Sequence, residues 1–137
     1  MMQTVIFGPI MGLGILTALV SLRLIIIRVG GSFKKPGDPD FYDITSRTPP
    51  STKAVNTANN LGNLFEFPVL FYLVCTLSYL TSAVDYLQIY LAWGYVASRI
   101  IHSAIHVTYN KVPHRFGVFL ISNLVLLAMW IRFGMGL

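Results

Sequence analysis

Four apolar runs, each close to the length a helix needs to cross a bilayer, dominate this chain. They extend from about Val5 to Ile27, Leu61 to Leu80, Tyr86 to Val107 and Phe116 to Ile131. Crossing the hydrocarbon takes roughly 20 helical residues. The first three runs reach that length, and the fourth continues to Phe133 across Arg132. Inside lipid every backbone N–H and C=O must find its partner within the protein, so these segments must be helical. Of 137 residues, 55% are apolar and only 11% charged, about half the charge of an average soluble domain. A globule this small is mostly surface and cannot bury such an excess. The expectation is a single all-α domain, an integral membrane four-helix bundle of up-down topology. Its helices are placed at about residues 4–28, 54–80, 84–109 and 114–134, with a long loop at about 29–53.

That loop carries Lys34, Lys35, Asp38, Asp40, Asp43 and Arg47, with Pro36, Pro39, Pro49 and Pro50. The prolines exclude a continuous helix. The other two connections, near Thr81–Asp85 and Asn110–His114, are short. Arg23, Arg28, Lys34, Lys35, Arg47 and Lys53 flank or fill the first loop, and Lys111 and Arg115 the third. The positive-inside rule therefore puts loops one and three in the cytoplasm and both termini outside, on the periplasmic side of a bacterial inner membrane. Met1 to Phe7 lacks a base, so the first run reads as a retained helix and not a cleaved signal. The net charge of +5 belongs to this membrane-surface pattern. No basic stripe with interleaved aromatics marks a nucleic-acid groove. The lone Cys75 excludes an internal disulfide and reads as a buried thiol. Gly12 and Gly14 mark close helix contacts, and the tyrosines and tryptophans fit interfacial belts.

Polar groups inside the runs are costly in lipid, so their placement carries information. Asn59, Asn60, Asn63 and Glu66 follow Asn56 at offsets of 3, 4, 7 and 10, which is one helical face. Pro68 then marks a kink. His102, His106 and Tyr109 follow Arg99 at offsets of 3, 7 and 10, again one face. Two polar stripes thus meet near the cytoplasmic end. Amide and histidine groups can simply hold helices together, at about 1 kcal/mol each, and a Glu66–Arg99 ion pair would satisfy both charges. Neither accounts for the surplus of bases nearby, which suits an anionic ligand. His102 and His106 are spaced for a metal or haem pair, yet a closed zinc site needs about four ligands, so no metal is assigned.

These stripes resemble the MAPEG family, the membrane-associated proteins of eicosanoid and glutathione metabolism, in a bacterial-type member. That family's second helix has Asn, two residues, Glu and a nearby Pro; here the stretch is Asn63-Leu64-Phe65-Glu66-Phe67-Pro68. Its third helix has Arg, two residues, His, three residues and usually Tyr, then a loop Pro and a catalytic Arg. The corresponding residues are Arg99, His102, His106, Pro113 and Arg115. The resemblance implies a homotrimer that binds glutathione between subunits and uses it on apolar, lipid-like electrophiles as a transferase or peroxidase. Asn63, Glu66, Arg99, His102 and His106 would line the glutathione site, with Arg115 as the catalytic residue beside the sulfur.

Departures accompany the match. Asn59 and Gly62 stand where the family usually has helix-two arginines, and His106 stands at its Tyr. Lys34, Lys35, Arg23 and Arg28 are the bases left to replace those anchors. The missing arginines favour the alternative, a non-catalytic MAPEG-like subunit or scaffold that binds a membrane lipid or a partner protein in a larger membrane complex.

Overall fold

A computed structural model of the chain describes residues 2–41 and 51–136. Asp43, Arg47, Pro49 and Pro50 of the first loop lie outside the described residues. A short 3-10 turn, Met2–Ile6, leads into α1 (Phe7–Ser32), followed by α2 (Thr52–Phe65), α3 (Phe67–Leu80), α4 (Tyr86–Val107) and α5 (Val112–Met135). No strand occurs among the described residues. The fold is an all-α bundle of four membrane-spanning passes, and α2 and α3 together form the second.

That second pass is broken, not merely kinked. Glu66 leaves helical geometry (φ −85°, ψ −95°) between α2 and α3. Pro68, in the first turn of α3, explains the break. It has no N–H to give Leu64, and its ring would clash with that carbonyl in a continuous helix. Ser51 starts the pass by accepting a hydrogen bond from the Ala54 backbone N–H at 3.3 Å, an N-cap that satisfies one free donor.

Three passes are long and apolar enough to cross a membrane: Met2–Ser32, Thr52–Leu80 and Val112–Met135, with mean hydropathies of 2.4, 1.5 and 1.9. The remaining pass, α4, has 22 residues, about 33 Å of helix. Its composition is more polar because Gln88, Ser98, Arg99, His102, Ser103 and His106 are all buried on its inner side. Gln88 donates to the Ser78 hydroxyl at 3.2 Å, and Ser103 donates to the Asn60 side-chain oxygen, Oδ1, at 3.1 Å. The outer surface shows the reverse pattern. Met11, Ile15, Leu19, Leu22 and Ile26 of α1 and Ile121, Leu124, Leu127 and Ile131 of α5 are exposed, as lipid-facing residues must be. Inside, Leu13, Phe71, Val74, Cys75, Ala92 and Met129 are fully buried, with Phe71 stacked on Tyr95 at 4.7 Å.

α4 packs along α5 and touches α1 and α2. Trp93 fills the space above two glycines of α1: a Cβ on Gly8 or Gly12 would lie 3.3 or 3.4 Å from its ring. Gly14, by contrast, has nothing within 4 Å, so of the two glycines expected at a close helix contact Gly12 makes one, and Gly8, one turn toward the N-terminus, joins it in place of Gly14. At this end Gln3 accepts from the Val84 N–H at 3.1 Å and donates to the Ser82 carbonyl at 3.1 Å. Asp85 accepts from the Gln88 backbone N–H at 2.8 Å and pairs with Arg132. The N-terminal turn, the α3–α4 turn and the end of α5 are therefore tied together.

Candidate functional site

The opposite end of the bundle holds the polar stripes. α4 ends at Val107, and the chain reverses within four residues before α5 begins. Asn110 makes this turn possible. It sits at φ +47°, a left-handed conformation that Asn tolerates better than most residues. Its N–H bonds back to the Ile105 carbonyl at 2.9 Å. Pro113 falls in the first turn of α5, where no helical N–H is required. The next turn face then presents Arg115 back toward α4.

Arg115 is held at two points by one nitrogen. Nη1 donates to the Asn110 side-chain oxygen at 2.9 Å and lies 3.4 Å from Nε2 of His106. A guanidinium can only donate, so Nε2 accepts. The proton of neutral His106 then resides on Nδ1, which is buried and without a partner. His102 lies one turn along, its ring edge-on to His106 with centroids 5.7 Å apart. Its Nδ1 is also buried and unpartnered.

Arg99 is completely buried. Its Nη2 donates to the Asn63 backbone carbonyl at 2.8 Å. Asn63 lies in the last turn of α2, where the break at Glu66 leaves carbonyls without helical partners. A cation there also meets the negative end of the helix dipole. Arg99 is thus a buried cap for the broken helix, while its Nε and Nη1 remain without partners.

Asn63, His102 and Arg115 line one pocket of about 210 Å³, completed by Val112, Phe116 and Phe119. His106 borders it through Arg115, and Arg99 through Asn63. Five of the residues singled out in the sequence therefore converge. Glu66 does not join them: it is exposed, and no ion pair links it to Arg99 among the described residues. Asn60 also leaves the stripe, turning inward to Ser103, whereas Asn59 and Glu66 face outward, with Asn56 and Asn63 at the half-buried margin. Among the described residues, no three His, Cys, Asp or Glu side chains are grouped as metal ligands.

The bases that could replace helix-two arginines lie elsewhere in the chain. Arg23 donates to the Val107 carbonyl at 3.3 Å and lines grooves beside α1 that share no residue with the Arg115 pocket. Lys34 is held by Asp40 at 3.0 Å and Asp38 at 3.4 Å. The Lys34 and Lys53 ammonium groups hold the Asp40 carboxyl below the usual carboxylate range. Sequence reading missed Asn110 as the anchor of Arg115; an Asn beside a helix-ending turn and two residues before Val112-Pro113 was the available signal.

The MAPEG family matches residues 6–135, which takes in all five helices. The chain belongs to the MAPEG family. No curated protein and no solved structure matches it. The MAPEG match extends over α1 as well as the helices whose motifs carry the resemblance. Membership supports a membrane helical bundle of a glutathione-related, transferase- or peroxidase-like family.

Proposed function

We propose that this MAPEG protein is a membrane-bound glutathione-dependent transferase or peroxidase acting on apolar electrophiles. One observation carries the reading: Arg115, fixed by Asn110 and His106, stands over a pocket shared with His102 and Asn63. Glutathione would supply the nucleophilic sulfur. A fixed cation lowers a thiol's pKa and retains its anionic form, which is the role given to Arg115. The Arg115 guanidinium and the His102 ring, whose Nδ1 has no partner, both line the pocket and fit an anionic tripeptide with acceptors and donors. Phe116 and Phe119 form the apolar wall along which an electrophile from the bilayer would approach.

The outward stripe of Asn59 and Glu66, with Asn56 and Asn63 at its margin, supports a homotrimer. Such groups are too costly to leave facing lipid, and neighbouring copies would cover them and complete the glutathione site. The ends of α1 and α4 and the starts of α2 and α5 share the basic end, which supports a cytoplasmic placement of that end and periplasmic termini in a bacterial inner membrane.

Purified protein in mild detergent should conjugate glutathione to a chlorodinitrobenzene electrophile, and Arg115→Ala should abolish this while calorimetric glutathione binding persists. Absence of both conjugation and binding in the wild type overturns the reading. A second reading, a non-catalytic subunit, is favoured by Asn59 and Gly62 at the usual arginine positions. A stoichiometric foreign protein co-purifying in mild detergent, without glutathione binding, would support it.

A further inference from the structure

A second polar cluster lies on the other side of α4, away from the Arg115 pocket. A groove of about 250 Å³ runs between α1, α2 and α4, with Leu16, Leu19, Val20, Ile100, Ala104 and Val107 among its walls. Arg23 stands at its mouth and is shared with an adjoining open groove of about 460 Å³ that reaches Lys53. The Arg23 guanidinium donates to Val107 at the C-terminal end of α4, so its head is drawn toward the basic end while its stem lies on apolar surface. Lys53 lies in the first turn of α2, at the same end, with its side chain 68% exposed.

The groove has a polar floor. Asn60 is fully buried and lines it. Its side-chain oxygen, Oδ1, receives the Ser103 hydroxyl, but its Nδ2 has no partner. A buried amide N–H₂ left unpaired costs on the order of a lost hydrogen bond. Asn60 is seven residues further along α2 than Lys53, about 10 Å deeper in the bilayer. From the membrane surface inward the groove therefore offers two cations, then a lone hydrogen-bond donor, then an apolar channel.

That order matches one kind of molecule. We propose that this groove is a binding site for an anionic phospholipid. The phosphate lies between Arg23 and Lys53, an ester carbonyl accepts from Asn60 Nδ2, and an acyl chain follows Leu16, Leu19, Val20 and Ile100. Lys53 now pairs loosely with Asp40 at 3.4 Å, a contact that a phosphate would replace. The site needs only that the helices span a bilayer, and it stands whether or not the Arg115 pocket binds glutathione.

Native mass spectrometry of the protein released from nanodiscs of equal phosphatidylglycerol and phosphatidylcholine tests it. The wild type should retain phosphatidylglycerol over phosphatidylcholine by about fivefold or more, the effect of roughly one base near a phosphate. Lys53→Gln, at an exposed position, should fold normally and reduce the ratio severalfold. Arg23→Gln with Lys53→Gln should bring it to about one, and Arg23→Lys with native Lys53 should keep most of it. Asn60→Ala should reduce retention of both lipids without changing their ratio. Equal retention by the wild type, an unchanged ratio in the double variant, or no retained lipid because a second copy covers the groove would each overturn the proposal.

Discussion

Arg115 Nη1 and the Asn110 side-chain oxygen are 2.9 Å apart, so the residue that turns the chain also aims the cation. Asn110 has two tasks, and they can be separated. Glycine also adopts φ +47° without strain but offers no acceptor. Asn110→Gly should leave the melting temperature within a few degrees and lower glutathione conjugation about tenfold, or roughly 1.4 kcal/mol of barrier. Asn110→Ala should lose the same activity and about 1 kcal/mol of stability in addition, because its Cβ resists the left-handed conformation. Steady-state rates with chlorodinitrobenzene and thermal melting in detergent check both. Equal activity in Asn110→Gly and wild type would remove Asn110 from the site.

Arg99 makes a different prediction, because its one hydrogen bond is to the end of a broken helix. Replacing it by Met removes a buried charge but strands the Asn63 carbonyl. A buried acceptor without a partner costs about 1–3 kcal/mol, and thermal melting of Arg99→Met should fall correspondingly. Pro68→Ala should partly offset this in the double variant. Restoring an N–H at position 68 lets α2 continue and gives its last carbonyls their own partners. Additive effects of the two changes would show that Arg99 does not cap the break.

Asp85 gives the pH dependence at the far end. Its carboxylate accepts from the Arg132 guanidinium and from the Gln88 N–H, and both hold its pKa below the ordinary value of 3.8. A depressed folded-state pKa means the contribution is complete above the unfolded value and disappears as pH falls through the folded one. The loss should therefore appear only below about pH 4. Asp85→Ala should cost about 1–2 kcal/mol, mostly from the cap, because an ion pair this exposed contributes less. Asp85→Asn keeps a cap acceptor and should cost less while flattening the acid limb. Melting curves from pH 3 to pH 7 distinguish the three proteins.

Much of this was legible in the chain because lipid enforces simple rules. Four apolar runs must be helices, and the inward polar face of α4 followed from Arg99, His102 and His106 at helical spacing. Convergence of Asn63 with Arg99 and Arg115 was likewise implied by two stripes near one membrane face. The α2 stripe was less legible. Helical spacing groups Asn60 with Asn59 and Glu66, but only packing decides which residues turn inward, and Ser103 draws Asn60 into the bundle. Glu66 looked like a partner for Arg99, yet Pro68 breaks the helix there. The carbonyl exposed by that break accepts from Arg99 in place of the carboxylate. Asn110 was harder to read: an Asn beside a helix-ending turn, just before Val112-Pro113, signals a left-handed turn, but not that its side chain would hold Arg115.

Gly62 tests what the missing helix-two arginines mean. A Cβ at Gly62 would meet nothing within 4 Å, so the chain itself can accept a larger side chain there. The position lies on the outward side of α2, one residue before Asn63 and four before Glu66. Gly62→Arg therefore adds a base beside the proposed tripeptide site without disturbing the core, and removing a mid-helix glycine favours α2 by up to about 1 kcal/mol. If glutathione occupies this surface between subunits, a new charge-assisted bond to one of its carboxylates should tighten binding about tenfold, or roughly 1.4 kcal/mol. Isothermal titration in detergent reads this directly. The gain should shrink as salt is raised, since the added contact is electrostatic and partly exposed. Unchanged affinity in a variant that still melts normally would separate the outer face of α2 from glutathione and leave the Arg115 pocket to bind it alone.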